Sequence, residues 1–193
     1  MNYIHSSFLE AQSTLEAFIS NQEQLKLVDQ AIKIFVDSFK NNGRVFSCGN
    51  GGSMCDSLHF AEELTGRYRK DRRPLPATGI SEAGHITCIA NDFGFDFIFS
   101  RYVEAWGNKG DVLLAISTSG NSKNVIEAVK SAQAKGMKVV GLLGKDGGVL
   151  KSMVDVPIVV ESKITDRIQE VHIKCIHIFI EGIERALFPE NYL

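Results

Sequence analysis

His59 and Glu63 lie four residues apart in a segment whose apolar residues have helical spacing, so their side chains share one face of the predicted helix. An imidazole and a carboxylate at this spacing can bind a metal ion together, or they can act as an acid and a base. An isolated pair of this kind is usually an ordinary surface pair. This pair follows a glycine-rich loop by about one turn, which favours a functional role. Arg67 extends the same stripe if the helix continues past Gly66.

The glycine-rich loop contains Asn50, Gly51, Gly52 and Ser53, between an apolar run at 44–48 and the helical pattern at 53–69. A loop in this position directs free backbone N–H groups at an anion such as phosphate. It differs from a nucleotide P-loop, because no Gly-Lys-Ser/Thr follows, and from a dinucleotide fingerprint, because the third glycine would fall at Met54. Taken alone, the loop fits a tight turn equally well.

A second loop, at 117–122, follows another apolar run and contains four hydroxyl groups: Ser117, Thr118, Ser119 and Ser122. Ligands of open α/β sheets bind at the carboxyl ends of the strands, where both loops are expected. Hydroxyl and amide groups bind phosphate as neutral donors, although Asn121 or Ser122 can instead cap the following helix. The two loops together predict a small phosphorylated ligand.

The last segment, 165–187, is predicted to be a long and mostly buried helix that contains Asp166, Gln169, His172 and His177. Buried polar side chains need partners, and a lone buried histidine is more often a hydrogen-bonded core residue than a ligand. Asn91 and Asp92 follow an apolar helix end, where they form either a ligand contact or only a turn.

The elements that must position these residues alternate between short apolar strands and helices. Strand-like runs occur at 44–48, 76–80, 111–116, 138–143 and 156–160. This pattern predicts an α/β fold, a three-layer αβα sandwich with a mainly parallel five-stranded sheet of the flavodoxin-like type. Residues 1–41 have helical spacing without a strand, so we expect one domain with an N-terminal helical arm (1–41) and an αβα core (42–193).

Composition excludes several classes of protein. The 193 residues are 44% hydrophobic and 23% charged, with a net charge of −2, so there is no basic excess for nucleic acid or anionic lipid. The four cysteines form no CxxC pair and are interpreted as reduced core residues. No signal-peptide pattern or membrane-length apolar run is present, which predicts a cytoplasmic protein. The one basic cluster, at 67–76, is interpreted as a solvated loop.

Five motifs together resemble the sugar-isomerase (SIS) domain proteins and, within them, the phosphoheptose isomerases. They are Ser-Cys-Gly-Asn-Gly-Gly-Ser (47–53), His-Phe-Ala-Glu-Glu-Leu-Thr-Gly-Arg-Tyr (59–68), Ala-Asn-Asp-Phe-Gly-Phe (90–95), Gly-Asp-Val-Leu-Leu-Ala-Ile-Ser-Thr-Ser-Gly-Asn-Ser (110–122) and Asp-Arg-Ile-Gln-Glu-Val-His-Ile-Lys (166–174). The resemblance covers the chain from end to end, and the combination is far more specific than any one loop.

The resemblance implies a ketose–aldose isomerase that converts sedoheptulose 7-phosphate to D-glycero-D-manno-heptose 7-phosphate through an enediol, for ADP-heptose and lipopolysaccharide core biosynthesis. It implies Glu63 as catalytic base and His177 as catalytic acid. The implied substrate-binding residues are Asn50, Gly51, Gly52, Ser53, Glu63, Arg67, Asn91, Asp92, Ser117, Thr118, Ser119, Ser122, Asp166 and Gln169. It also implies a homotetramer with active sites between subunits.

One zinc ion per subunit is implied at His59, Glu63, Gln169 and His177. Two of these residues are also the implied acid and base, and a carboxylate bound to zinc is a weaker base. Gln169 and His177 are eight residues apart, a rise of about 12 Å on one helix, so one ion would need long side-chain reach or a second chain.

A second reading comes from Leu187-Phe188-Pro189, which is reminiscent of a non-catalytic SIS adaptor, the DnaA-binding initiator-associating type. Such adaptors lack a carboxylate at the position of Glu63, so the presence of Glu63 favours the enzyme. A sugar-phosphate-sensing regulatory domain is a third reading, but it would require an attached DNA-binding module.

Overall fold

A computed structural model describes residues 2–193 and contains one sheet of five strands. The strands are β1 (Val45–Cys48), β2 (Ala77–Gly79), β3 (Val112–Ser117), β4 (Lys138–Gly144) and β5 (Val156–Val160). Their order in the sheet is β2-β1-β3-β4-β5, and every neighbouring pair is parallel. The predicted α/β fold and five strands are confirmed, and the sheet is wholly parallel rather than mainly parallel.

Within residues 2–193, seven α-helices connect and cover the strands. They are α1 (Asn2–Ser20), α2 (Gln22–Lys40), α3 (Gly52–Thr65), α4 (Ala83–Asp92), α5 (Ser100–Trp106), α6 (Lys123–Ala134) and α7 (Thr165–Leu187). Short 3₁₀ helices lie at Phe95–Phe97, Val149–Ser152 and Pro189–Tyr192. The side chain of Asn21 caps α2 by accepting hydrogen bonds from the backbone N–H groups of Glu23 and Gln24.

Alternate side chains of the central strands enter two separate apolar cores, because successive residues of a strand point to opposite faces. In β3, Leu114 and Ile116 pack with α2, α3 and α7 on one face of the sheet. Leu113 and Ala115 pack with α4, α5 and α6 on the other face. The continuous apolar runs of the sequence follow from burial of the sheet on both sides.

The first two helices differ in burial. α2 contributes Phe35 and Phe39 to the core beside α3 and α7, and both side chains are buried. α1 buries only Phe18 and leaves several large apolar side chains exposed: Tyr3, Ile4, Phe8, Leu9 and Ile19. No helix within residues 2–193 is long and apolar enough to cross a membrane.

Three local expectations were wrong. α3 ends at Thr65, where the N–H of Gly66 donates to the Glu62 carbonyl, so Arg67 lies beyond the helix and does not extend the His59–Glu63 stripe. Asn91 and Asp92 form the last turn of α4 rather than a loop after it. Cys48 and Cys175 are buried as expected, but Cys55 and Cys88 are exposed, because each lies on the outer face of its helix.

Candidate active site

The two loops predicted to bind an anion lie side by side, because β1 and β3 are neighbours in the sheet. Asn50 of the first loop and Asn124 of α6 exchange two hydrogen bonds, Nδ2 to Oδ1 in each direction, at 2.9 and 2.8 Å. This amide pair fixes the spacing of the loops. Asn124 was not predicted as a site residue; it lies in the first turn of α6, and its side chain is buried.

The helices that follow these loops begin without side-chain caps. Gly51 before α3 has no side chain, and the side chain of Ser122 before α6 accepts no hydrogen bond from its helix within the described chain. The Ser122 hydroxyl instead pairs with that of Ser117, at 2.9 Å. In α3 the N–H groups of Ser53 and Met54 donate to the carbonyls of Asn50 and Gly51, and in α6 that of Val125 donates to Asn124 Oδ1. Within the described chain this leaves the N–H groups of Gly52, Lys123 and Asn124, at the positive ends of the two helices, for an anion.

Gly120 holds the second loop against the next one along the sheet. Its φ of +65° is in the left-handed region, and a Cβ there would collide with the Gly147 carbonyl oxygen. Asn121 Oδ1 also accepts a hydrogen bond from the Val149 backbone N–H at 3.0 Å. The 117–122 loop is therefore held from both sides, and only glycine fits at its tight approach.

α3 and α7 lie side by side and run in the same direction. Near their starts, the Gln169 amide occupies the space that a Cβ on Gly52 would need. About two turns further along both helices, His59 Nε2 and His177 Nε2 are 3.1 Å apart. The rises from Gly52 to His59 and from Gln169 to His177 are about 10 and 12 Å, so the two helices stay in step.

His59, Glu63 and His177 come together in this packing. His59 Nε2 is 3.5 Å from Glu63 Oε1, and the His59 and His177 rings meet edge to face with centroids 5.1 Å apart. Tyr68 stacks on the other side of His177, with ring centroids 6.1 Å apart. The packing thus restrains the His177 ring on two sides, and a base candidate and an acid candidate lie at one place.

The pKa shifts of Glu63 and His177 both favour the neutral form of the side chain. Burial raises the pKa of Glu63, the nearby Glu62 carboxylate adds to this, and His59 opposes it. Burial also lowers the pKa of His177, and the positive charges of His59 and Lys174 act in the same direction. Glu63 is thereby a stronger base than a solvated glutamate, and His177 is favoured as a neutral imidazole.

A cleft of about 370 Å³ opens beside these groups and contains the residues Cys55, Asp56, His59, Asp166, Gln169, Glu170 and Ile173 along its walls. Asp56 was not predicted as a site residue. Burial raises its pKa to about 6 against the opposing charge of His59. Its Oδ2 atom is buried and has no hydrogen-bond partner among the described residues. A carboxylate one turn before His59 was the signal in the sequence.

Some predicted site residues lie elsewhere or have other partners. Arg67 is exposed beyond α3, and the side chains of Asn91 and Asp92 are exposed and bonded to each other. Asp166 lines the cleft but forms an ion pair with Arg167 at 2.7 Å, whose hydrogen bond lowers the pKa of Asp166. His172 is a core residue, since its fully buried Nε2 lies 3.0 Å from the Leu143 carbonyl oxygen.

The donor set fits a metal ion. His59, Glu62 and Glu63 can each offer a ligand atom, and these atoms lie within 4.8 Å of one another. Two nitrogen ligands of a tetrahedral zinc ion lie about 3.3 Å apart, close to the observed separation of His59 Nε2 and His177 Nε2. Glu62 is a possible ligand that the sequence analysis did not consider.

These loops and helices define a sugar-phosphate isomerase domain, and comparison with known proteins supports that class. The model of the SIS domain matches residues 8–144. At 17% identity and a TM-score of 0.70, the NanR protein of Vibrio vulnificus shares the fold alone, over 98% of this chain and 64% of that one.

The nearer relatives are all phosphoheptose isomerases. The enzyme of Histophilus somni is 57% identical over 185 residues, 95% of each chain. That of Fusobacterium nucleatum is 52% identical over 193 residues, 100% of this chain and 99% of the other. The structure of the Neisseria gonorrhoeae enzyme has a TM-score of 0.89 at 39% identity and covers 95% of this chain and 97% of that one. The chain belongs to the phosphoheptose isomerase family of SIS domain proteins.

Proposed function

We propose that the chain interconverts sedoheptulose 7-phosphate and D-glycero-D-manno-heptose 7-phosphate. The observation that carries this proposal is that His59 contacts both Glu63 and His177, on the helix that begins at the first of the two loops. A ketose–aldose isomerase needs a base near one carbon, an acid near the carbonyl oxygen and a site for the phosphate.

The phosphate occupies the edge of the sheet between the two loops. There it accepts hydrogen bonds from the N–H groups at the starts of α3 and α6 and from the hydroxyls of Ser53, Ser117, Thr118, Ser119 and Ser122. No lysine or arginine is required, because partial charges on two helix ends compensate the anion. The sugar extends along the cleft toward α7, where Asp166 and Gln169 bind its hydroxyl groups.

The reaction moves one proton between neighbouring carbons. Glu63 removes a proton from C1 of the ketose while His177 donates a proton to the C2 carbonyl oxygen, which gives a neutral enediol. Glu63 then returns its proton to C2, and His177 recovers a proton from the C1 hydroxyl group as the C1 aldehyde forms. The sum is an isomerisation without oxidant or reductant.

A zinc ion held by His59, Glu63 and His177 would supply charge stabilisation for the substrate oxygens. Gln169 packs against Gly52, about two turns before His177, so as the fourth ligand it would have to reach the ion from another subunit of the proposed tetramer. Metal analysis of protein purified without chelator is expected to find about one zinc per chain. Absence of metal from a fully active preparation would remove zinc from the proposal and leave the protein groups in place.

We also propose that the whole chain forms one SIS domain that works as a homotetramer with active sites between subunits. Two observations support this: the exposed apolar side chains on α1, and the exposed positions of Arg67, Asn91 and Asp92, which another subunit can bring to the substrate. Sedimentation at micromolar concentration is expected to give a tetramer, and a monomer would refute the intersubunit site.

The direct test is incubation of the purified protein with sedoheptulose 7-phosphate, with the product identified by NMR. We expect the heptose aldose phosphate to appear at a rate proportional to enzyme concentration. An inactive, folded, metal-loaded protein would refute the proposal and favour the adaptor reading of the fold.

A further inference from the structure

Arg72 belongs to the basic segment 67–76, yet its guanidinium group is inside the protein. Its side chain is 1% exposed, and the Glu184 side chain that it meets is 0% exposed. Arg72 Nε donates to Glu184 Oε1 at 2.9 Å. A buried charge is strongly unfavourable unless it is paired and hydrogen-bonded, so the other N–H groups of the Arg72 guanidinium also need acceptors.

Besides a long contact with the Arg73 carbonyl at 3.4 Å, those donors reach the C-terminal end of α3. Arg72 Nη2 donates to the carbonyl oxygen of Glu63 at 2.6 Å, and Nη1 donates to those of Leu64 and Gly66 at 2.8 and 2.9 Å. The last four carbonyls of a helix have no partner within the helix, and they carry its negative partial charge. Arg72 therefore caps α3 at the residue that provides the proposed base.

Glu184 connects the same cap to α7. It lies two turns beyond His177 on that helix, and its second oxygen accepts a hydrogen bond from the Tyr192 hydroxyl at 2.9 Å. Burial raises the pKa of Tyr192 to about 12, so the hydroxyl stays protonated and remains a donor. Both oxygens of Glu184 are thus occupied, and α7 is linked through Arg72 to the end of α3.

We propose that Arg72 is a positioning residue whose buried contact with Glu184 sets the distance between the end of α3 and α7, and thereby holds the His59–Glu63 pair of α3 so that His59 contacts His177. The catalytic consequence rests on the proposed function. The neighbouring pairs that Glu181 makes with Arg69 and Arg185 are partly exposed and cannot hold the helices in this way, because exposed pairs contribute little.

The test separates positioning from stability. Replacing a buried ion pair by apolar residues is often neutral for stability, but the double variant Arg72→Met/Glu184→Leu also removes the partners of three carbonyls and of the Tyr192 hydroxyl. It is therefore expected to melt below the wild-type temperature and to remain folded at the assay temperature. It leaves the three carbonyls of α3 without their cap. We expect kcat to fall about 10- to 100-fold, as a shift of about 1 Å in catalytic geometry does. Arg73→Met, an exposed change one residue along, is the matched control and should keep wild-type kcat.

A second readout does not depend on the substrate. In ¹⁵N-histidine-labelled protein, the Nε2 signals of His59 and His177 are expected to shift in the double variant, while those of His5, His85 and His172 stay in place. If the signals shift in the double variant but the wild-type protein is inactive on sedoheptulose 7-phosphate, the proposed function is refuted and the link between α3 and α7 stands. Unshifted signals, or an unchanged kcat in active protein, would overturn the proposal for Arg72.

If the double variant does not fold, Arg72→Lys decides. Lysine keeps the charge beside Glu184 but lacks the planar fork that reaches three carbonyls at once. We expect folded protein with shifted His59 and His177 signals and a reduced kcat. Wild-type values for both measurements would overturn the proposal.

Discussion

Glu63→Gln tests the proposed chemistry most sharply, because it removes the proposed base, and with it the charge of one proposed zinc ligand, while the side chain keeps its shape. Glutamine has the shape of glutamate and keeps a group near His59 Nε2, 3.5 Å from the Glu63 carboxylate. It cannot accept a proton from a carbon atom. We therefore expect the binding loops, the α3–α7 contact and the fold to persist while proton transfer stops.

The expected loss follows from the role of a general base, which contributes about 10²- to 10⁴-fold to a rate, or about 3–5 kcal/mol of activation free energy. Stability should move the other way. The pKa of Glu63 is raised in the folded protein, so its ionised form is disfavoured there relative to the unfolded chain, and this penalty is present above the folded pKa. A neutral glutamine removes the penalty, so the melting temperature at pH 8 should be unchanged or higher.

The assay follows both product formation and exchange of the C1 proton with deuterium from solvent, by NMR. Glu190→Gln is the control, since Glu190 is exposed and is not among the residues proposed to bind substrate or metal; its kcat should stay within a few-fold of wild type. Near wild-type exchange in Glu63→Gln would refute the assignment of the base. A lower melting temperature with proportional loss of activity would show a structural defect instead.

Two further predictions concern the binding loop and the cleft. Gly120→Ala should lower the free energy of unfolding, measured in urea, by about 3 kcal/mol, because a left-handed alanine costs about 1 kcal/mol and its Cβ would also collide with the Gly147 carbonyl. The control is Gly110→Ala, which also has a positive φ but has open space around it, and it should lose only about 1 kcal/mol. Asp56→Asn in metal-free protein should raise the free energy of unfolding above pH 6 and leave it unchanged near pH 3.5. Burial raises the pKa of Asp56 from its ordinary value of 3.8 to about 6 in the folded protein, so the penalty on the ionised carboxylate grows between these two pH values. The full shift corresponds to about 3 kcal/mol, and partial exposure reduces this to about 1 kcal/mol; equal melting temperatures of wild type and variant at pH 8 would refute the burial of this charge.

The sequence predicts those parts of the fold that depend on local pattern. Strand β5 and helix α7 have the predicted limits. The apolar run of β5 is short and rich in β-branched residues, which favours a strand, and the helical period of α7 continues over 23 residues. His59 and Glu63 were found together because four residues on one helix fix their relative position.

Features that depend on partners distant in sequence were not predictable in this way. Arg72 looks like one more charge in a solvated basic loop, and only the fold brings Glu184, 112 residues further along, into contact with it. The Asn50–Asn124 pair joins residues 74 positions apart. The end of α3 at Thr65 depends on Gly66, a residue that a helix tolerates at a cost of about 1 kcal/mol, so tertiary contacts decide.

α3 connects the phosphate site with the contact to α7, and its own sequence leaves both of its ends unsatisfied. It has no acidic residue in its first turn, no basic residue in its last turn and no side-chain cap at its start within the described chain. A negative group at the start of a helix and a positive group at its end each stabilise it through the helix dipole. In the proposed enzyme the substrate phosphate provides the first and Arg72 the second. Because Glu63 lies between them, phosphate binding and the Arg72–Glu184 contact order the same helix that positions the base.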